Sequence, residues 1–284
     1  MNDSRSIPVN VVPSGDTFDT DATPDAVRDT VRERYAAVAT GGTSCCGSSC
    51  GCGTPVDGDT LLAAIGYDAA QAGAIPEESN LGLGCGNPLA FAEVKAGDTV
   101  LDLGSGAGID CFLAAQAAGP TGRAIGVDMT PEMITRARDT AIRHGYGNVE
   151  FRLGEIEHLP VADHSVDVII SNCVVNLSPE KPQVFREALR VLKPGGRLLV
   201  SDLVLNRPLD PELQRSIALY VGCVAGAAQK EDYLALMSDA GFTDVTVVAE
   251  DGYTVGAEQL PADDPERRAF ESVVSVKVRA LKPA

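Results

Sequence analysis

Thr99-Val-Leu-Asp-Leu-Gly-Ser-Gly-Ala-Gly108 is an apolar run that stops abruptly at three alternating glycines. A run this short, bounded by glycine, predicts a buried strand, and the glycines turn the chain into a helical stretch reaching about Ala118. Working outward, Arg123-Ala-Ile-Gly-Val127 predicts a second strand closed by Asp128, and Pro131 stands where the first turn of a helix accepts proline. Strands are predicted again at 148–153, 166–171 and 197–203, with a helix at 182–192 and the turn Lys193-Pro-Gly-Gly196 before the last of them. Strands alternating with helices of this length predict an α/β fold, a mostly parallel sheet with helices on both faces. Beyond Pro208, helical stretches at 210–224 and 229–240 precede strands near 243–249 and 271–278. The first of these helices is expected to cap the carboxyl edge of the sheet, and the strands to complete it as an α+β addition.

Upstream the texture differs. Residues 1 to 23 are rich in Pro, Asp, Thr and Ser without periodicity and predict a loose arm. Thr23-Pro24 then opens a helix whose Val27, Val31, Tyr35 and Val38 recur at helical spacing. Residues 41–53 hold only Gly, Ser, Thr and Cys, which cannot build a core, and a short apolar helix near 60–65 leads to a Gly-rich loop over 80–88. The expected division is 1–79 for the arm, helix and Cys-rich loop, 80–206 for the sheet core, and 207–284 for capping helices and final strands.

Composition narrows the function. With 23 basic and 40 acidic residues in 284, the net charge is -17, a field that repels polyanions. Nucleic acid and anionic membrane surfaces are therefore poor expected partners, and an acid excess also suits a salt-rich interior, where carboxylates keep a protein soluble. The uncharged stretch 217–228 is short of the roughly 20 residues a membrane helix needs. The start MNDSRSIPVN lacks an apolar signal core, so a cytoplasmic protein with reduced thiols is expected, a monomer being the favoured state.

Asp102 precedes the glycines, and Asp128 ends the next strand where it can accept both hydroxyls of a ribose. The spacing is G-x-G-x-G, without the cationic side chains that a pyrophosphate favours, so a nucleoside with a positive centre is the preferred ligand. The segments VLDLGSGAG, GVDMT, LGEIEHLP and LRVLKPGGRLLVSD, in this order, resemble the successive motifs of class I S-adenosylmethionine-dependent methyltransferases, which have a Rossmann-like sheet. The resemblance implies that Asp102, Gly104, Ser105 and Gly106 shape the methionine pocket and that Asp128 holds the ribose. It also implies that Met129 and Thr130 lie at the adenine face, with Glu155, Ile156 and Glu157 along the adenine edge.

Eight cysteines, at 45, 46, 50, 52, 85, 111, 173 and 223, remain to be explained. Cys173 follows the strand VDVIIS and Asn172, at the carboxyl end of the sheet. Cys85 in the Gly-rich loop and Cys223 in the later helical stretch can reach the same edge. Three thiolates without an obligatory fourth ligand suit trivalent arsenic, which is thiophilic and keeps a nucleophilic lone pair; zinc usually seeks four ligands. An attacking lone pair needs no general base, and the histidines His144, His158 and His164 read as surface or loop residues. The segment from Asn80 to about Ala228 resembles arsenite methyltransferases: NLGLGCGNP, SNCVVNLSP and GCVAGA each carry a cysteine of that family's arsenic site, here Cys85, Cys173 and Cys223. The resemblance implies arsenite or its thiol conjugates as substrate, S-adenosylmethionine as donor, Asn172 in contact with it, and a thiol reductant of thioredoxin or glutathione type. Cys45 or Cys46 is expected to act as an exchange thiol. A zinc site over 45–52 ranks below that role, and Cys111 reads as a packing thiol. Two alternatives stand beside this reading: carbon or oxygen methylation of a small organic acceptor such as a quinone, and a non-catalytic, thiol-rich metalloid-binding protein.

Overall fold

The strands of the computed structural model are β1 Thr99–Leu103, β2 Arg123–Asp128, β3 Val149–Leu153, β4 Val166–Asn172, β5 Leu192–Leu205, β6 Thr243–Gly252 and β7 Val273–Leu281. The described residues are 16–41, 62–63, 66–253, 261 and 263–284. All seven strands form one sheet in the order β3-β2-β1-β4-β5-β7-β6. The five from β3 to β5 pair in parallel, and β7 runs antiparallel to both β5 and β6.

Strand alternation sends successive side chains to opposite faces, and here both faces are apolar. Leu101, Leu103, Ile125, Val127 and Ile169 join one core with Val184, Phe185 and Ala188 of the helix Lys181–Val191 and with Tyr233 and Met237 of the helix Lys230–Ala240. Their neighbours Val100, Ala124, Val168 and Ile170 join the other core with Phe112, Ala114 and Ala115 of the helix Ile109–Ala118 and with Ile134 and Ala137 of the helix Pro131–Arg143. Helices therefore cover both faces. The chain order reverses at β1, which has β2 on one side and β4 on the other, and that switch point is where an open sheet leaves a crevice at its carboxyl edge.

The helix Pro24–Ala39 is capped by Thr23, whose hydroxyl accepts the Ala26 N–H at 3.3 Å, with proline at its first position. Its Val31 enters a third cluster with Leu177, Leu219, Val224 and Phe270, near Cys85 and Cys223. This packing lays the helix over the crevice.

Four expectations are corrected. The stretch 210–224 is not one helix: Pro211–Gln214 ends before Ser216, whose hydroxyl caps a second helix, Ile217–Val221, by accepting the Leu219 N–H. Cys223 lies beyond it in a turn, with φ 64°. β5 begins at Leu192 opposite Val166, and regular pairing resumes with Arg197 opposite Val168, so Lys193-Pro-Gly-Gly196 is an excursion within the strand. The end of the arm is docked: the Phe18 N–H donates to the Arg215 carbonyl and its ring meets Tyr220 edge-on at 5.3 Å. Finally, reduced thiols were expected, whereas Cys85 and Cys173 are joined in a disulfide, their Cα atoms 5.7 Å apart, within the reach a bridge needs. The four cysteines at 45, 46, 50 and 52, and most of the short helix near 60–65, lie outside the described residues.

Candidate active site

At the carboxyl edge lies a cavity, open at its mouth, walled by the β1, β2 and β4 ends, the loop before β1 and the helix Pro24–Ala39. Gly104 and Gly106 have φ of 65° and 51°, the left-handed region that glycine enters at no steric cost. A Cβ on Gly104 would stand 2.2 Å from a methyl of Val174, so only a bare backbone fits there. Asp128 anchors this turn: its two carboxylate oxygens accept the Gly106 N–H at 2.9 Å and the Thr130 N–H at 2.8 Å.

The wall is acidic. Asp102, Asp110, Asp128 and Glu157 all line it. Burial pushes Asp102 well above the usual carboxylate range, helped by the nearby Asp110 charge, and burial raises Asp128 too. Asp110 is raised to about 6, again by burial, against the pull of its hydrogen bonds from the Tyr67 hydroxyl at 2.8 Å and the Asn172 amide at 3.2 Å. Carboxylates held in an apolar cleft favour a cationic ligand. Met129, Ile156 and Val31 give the wall apolar surface on which a base could pack, and Asp128 sets a carboxylate there that could accept hydroxyls. These residues fit S-adenosylmethionine.

One cation also reaches the wall. Arg28 is buried and already paired: its Nε lies 3.3 Å from Glu157, and other nitrogens meet Asp25 and Glu180. Glu157, equally buried, also accepts a hydrogen bond from the Ser178 hydroxyl at 2.5 Å. Arg28→Met would leave a buried carboxylate without its cation, and chemical denaturation is expected to show about 3 kcal/mol of lost stability. An unchanged midpoint would mean that apolar contacts alone hold the helix.

The cysteines lie along one edge of this cavity. Cys173 forms part of its wall, with φ 60°, and its N–H donates to the Ser201 carbonyl at 2.8 Å. Cys85, joined to it, sits behind in the loop before β1. The Cys223 thiol donates to the Cys173 carbonyl at 2.9 Å, and burial raises its pKa. A carboxylate oxygen of Asp202 lies within 4.8 Å of both the Cys85 and Cys173 sulfurs. Asp202 is fully buried and raised to about 7 by that burial, although it accepts bonds from the Leu203 N–H at 3.0 Å and the Tyr233 hydroxyl at 3.1 Å.

Of the residues singled out in the sequence, the cavity wall brings together Asp102, Gly104, Ser105, Gly106, Asp128, Met129, Thr130, Ile156, Glu157, Asn172 and Cys173. Glu155 stands outside it, 3.6 Å from Arg32 and 3.9 Å from Arg28. Cys85 and Cys223 are buried beside Cys173, not on the wall itself. Cys111 is buried and its thiol donates to Asp102 at 3.4 Å. Sequence reading missed Arg28, Tyr67, Asp110 and Asp202. Only Asp110 carried a local signal, two residues beyond the last glycine of the turn.

Residues 94–241 match the family described as a methyltransferase domain. An arsenite methyltransferase of Halobacterium salinarum is 48% identical over 279 residues, covering 95% of this chain and 70% of that protein. The human arsenite methyltransferase is 37% identical over 186 residues, 62% of this chain; the match spans about half of that longer protein. In structure, CrArsM of Chlamydomonas reinhardtii, an arsenic(III) S-adenosylmethionine methyltransferase, superimposes with a TM-score of 0.60 at 32% identity, covering 81% of this chain and 75% of its own. Sequence kinship across nearly the whole chain agrees with the seven-stranded sheet, its glycine turn and its acidic cavity: the protein belongs to the arsenite methyltransferases, within the class I S-adenosylmethionine-dependent methyltransferases.

Proposed function

We propose that the protein methylates trivalent arsenic held by the thiolates of Cys85, Cys173 and Cys223, with S-adenosylmethionine as the donor. The observation that supports this most is the meeting of those three cysteines at one edge of the donor cavity, with Cys173 on its wall. The donor supplies a methyl group on a cationic sulfur. Asp128 would hold the ribose hydroxyls, Met129 and Ile156 the base, and Asp102 and Asp110 the cationic end. The cysteines would hold arsenic with its lone pair turned to the cavity, replacing its hydroxyls and releasing water. Methyl transfer to a lone pair removes no proton, so the site needs no general base.

Cys85 and Cys173 can hold arsenic only as thiols, and in the structure they are bonded to each other. Two electrons and two protons from a thiol reductant, of thioredoxin or glutathione type, would open the bond. Cys45 or Cys46 would serve as the exchange thiol.

The direct test incubates the protein with labelled donor, arsenite and a thiol, then separates the arsenic species. Labelled methylarsenicals are the expected product. Arsenite binding without turnover would point to a metalloid-binding protein, and transfer to a quinol alone would overturn the acceptor.

The donor site should also respond to pH. With Asp110 raised to about 6, it is protonated below that pH and charged above it. A cationic donor gains from the charged form, so its affinity should rise between about pH 5 and 7, and Asp110→Asn should flatten that rise. Calorimetric titration with sinefungin, a cationic donor analogue, checks it; a profile shared by both proteins would clear Asp110 of the role.

A further inference from the structure

Asn172 ends β4, directly before Cys173, and lines the donor cavity. Its carboxamide is nevertheless engaged by the protein on every side. Oδ1 accepts the Cys85 N–H at 3.0 Å, and Nδ2 donates to the Gly86 carbonyl at 2.7 Å. The same Nδ2 lies 3.2 Å from the Asp110 carboxylate and 3.2 Å from the Tyr67 hydroxyl, two groups of the cavity wall. We propose that Asn172 is a positioning residue that ties the Cys85 thiol to the donor cavity, so that donor binding and arsenic capture reinforce each other. The proposal rests on the reading of Cys85 as an arsenic-binding thiol.

The loop around Cys85 has little of its own to hold it. Gly82 and Gly84 have φ of 67° and 113°, and no helix or strand spans residues 80–87. Once the bond to Cys173 is reduced, the backbone of Cys85 and Gly86 is tied to the core by the two bonds from Asn172 and one from the Ser275 hydroxyl to the Cys85 carbonyl, at 3.1 Å, beside a longer contact of 3.7 Å from the Cys85 thiol to the Ser201 carbonyl. The amide is also packed close: a Cβ on Gly84 would approach Nδ2 to 3.0 Å. One planar group thus holds the Cys85 backbone with one end and faces Asp110 and Tyr67 with the other. A donor that fixes Asp110 and Tyr67 fixes the plane of the amide, and with it the loop. By linkage the effect is reciprocal: arsenic on Cys85 should tighten donor binding by the same factor.

The experiment uses the full chain, reduced, titrated with arsenite with and without saturating S-adenosylhomocysteine and followed by the ultraviolet absorption of arsenic–thiolate bonds. In the unaltered protein the nucleoside should tighten arsenite binding by at least about fivefold, the low end of coupling between sites. In Asn172→Ala, arsenite alone should bind about tenfold more weakly, the scale of losing a buried hydrogen bond, and the coupling factor should fall to about one. Asn172→Asp, available should the alanine variant fail to fold, keeps an acceptor for the Cys85 N–H but sets a carboxylate against Asp110 and the Gly86 carbonyl. It should likewise lose the coupling. A lowered thermal midpoint with the coupling factor intact, or an unaltered protein whose arsenite affinity ignores the nucleoside, overturns the proposal. Failure of the unaltered protein to bind arsenite at all overturns the arsenic reading with it.

Discussion

Cys173→Ser and Cys223→Ser should each lower arsenite methylation by more than about a hundredfold while donor affinity stays within about threefold. A hydroxyl is close in size to a thiol and keeps the hydrogen bond that the Cys223 side chain makes to the Cys173 carbonyl, so packing is largely preserved. What it lacks is a soft, polarisable donor for arsenic. The two variants differ in place: Cys173 is on the cavity wall, whereas Cys223 lies behind it in the apolar cluster with Leu219 and Val224. Loss in both, with nucleoside binding retained, separates an arsenic-holding role from a donor-holding one. Full turnover in either would contradict the three-sulfur site. Product analysis alongside nucleoside calorimetry makes the measurement.

Asp128→Ala should weaken nucleoside binding by about 1–3 kcal/mol, at the upper end of that range. Ribose contact alone would account for the lower part. The structure adds a second loss, because the carboxylate already accepts the Gly106 and Thr130 N–H groups and so shapes the glycine turn on the cavity wall, where the proposed site would set the donor. Removing it orphans both donors at the cavity wall. Calorimetry with S-adenosylhomocysteine gives the figure, and an unchanged affinity would remove Asp128 from the ribose site.

The sheet was legible because its signals are local. Val100 and Leu101 are apolar on adjacent positions and Leu103 follows, as a strand buried on both faces requires, and the glycines mark the turn: a side chain at Gly104 would strike Val174, and Gly106 takes a left-handed φ of 51°. The break in 210–224 was not legible, since the apolar pattern continues through it; Ser216 starts the second helix with its hydroxyl on the Leu219 N–H, and its backbone is bridged to Thr17, far away in the chain.

A shared sheet also cannot choose an acceptor. The choice here rests on which thiols meet, and three widely separated cysteines were named from their expected places at one sheet edge. Their redox state was not: a bond between Cys85 and Cys173 depends on an approach of Cα atoms across 88 residues of sequence.

From its order of residues alone the chain determined the strands and helices of the core and the glycine turn, because each follows from spacing within a few residues, while the family came from the resemblance of its motifs. Tertiary structure alone decided that Arg28 reaches Glu157 across 129 positions, that Asp202 stands beside two of the thiols, and that one amide at Asn172 joins the donor cavity to Cys85. Those contacts arise from how helices and loops settle on the sheet, a matter of long-range packing that no local pattern encodes.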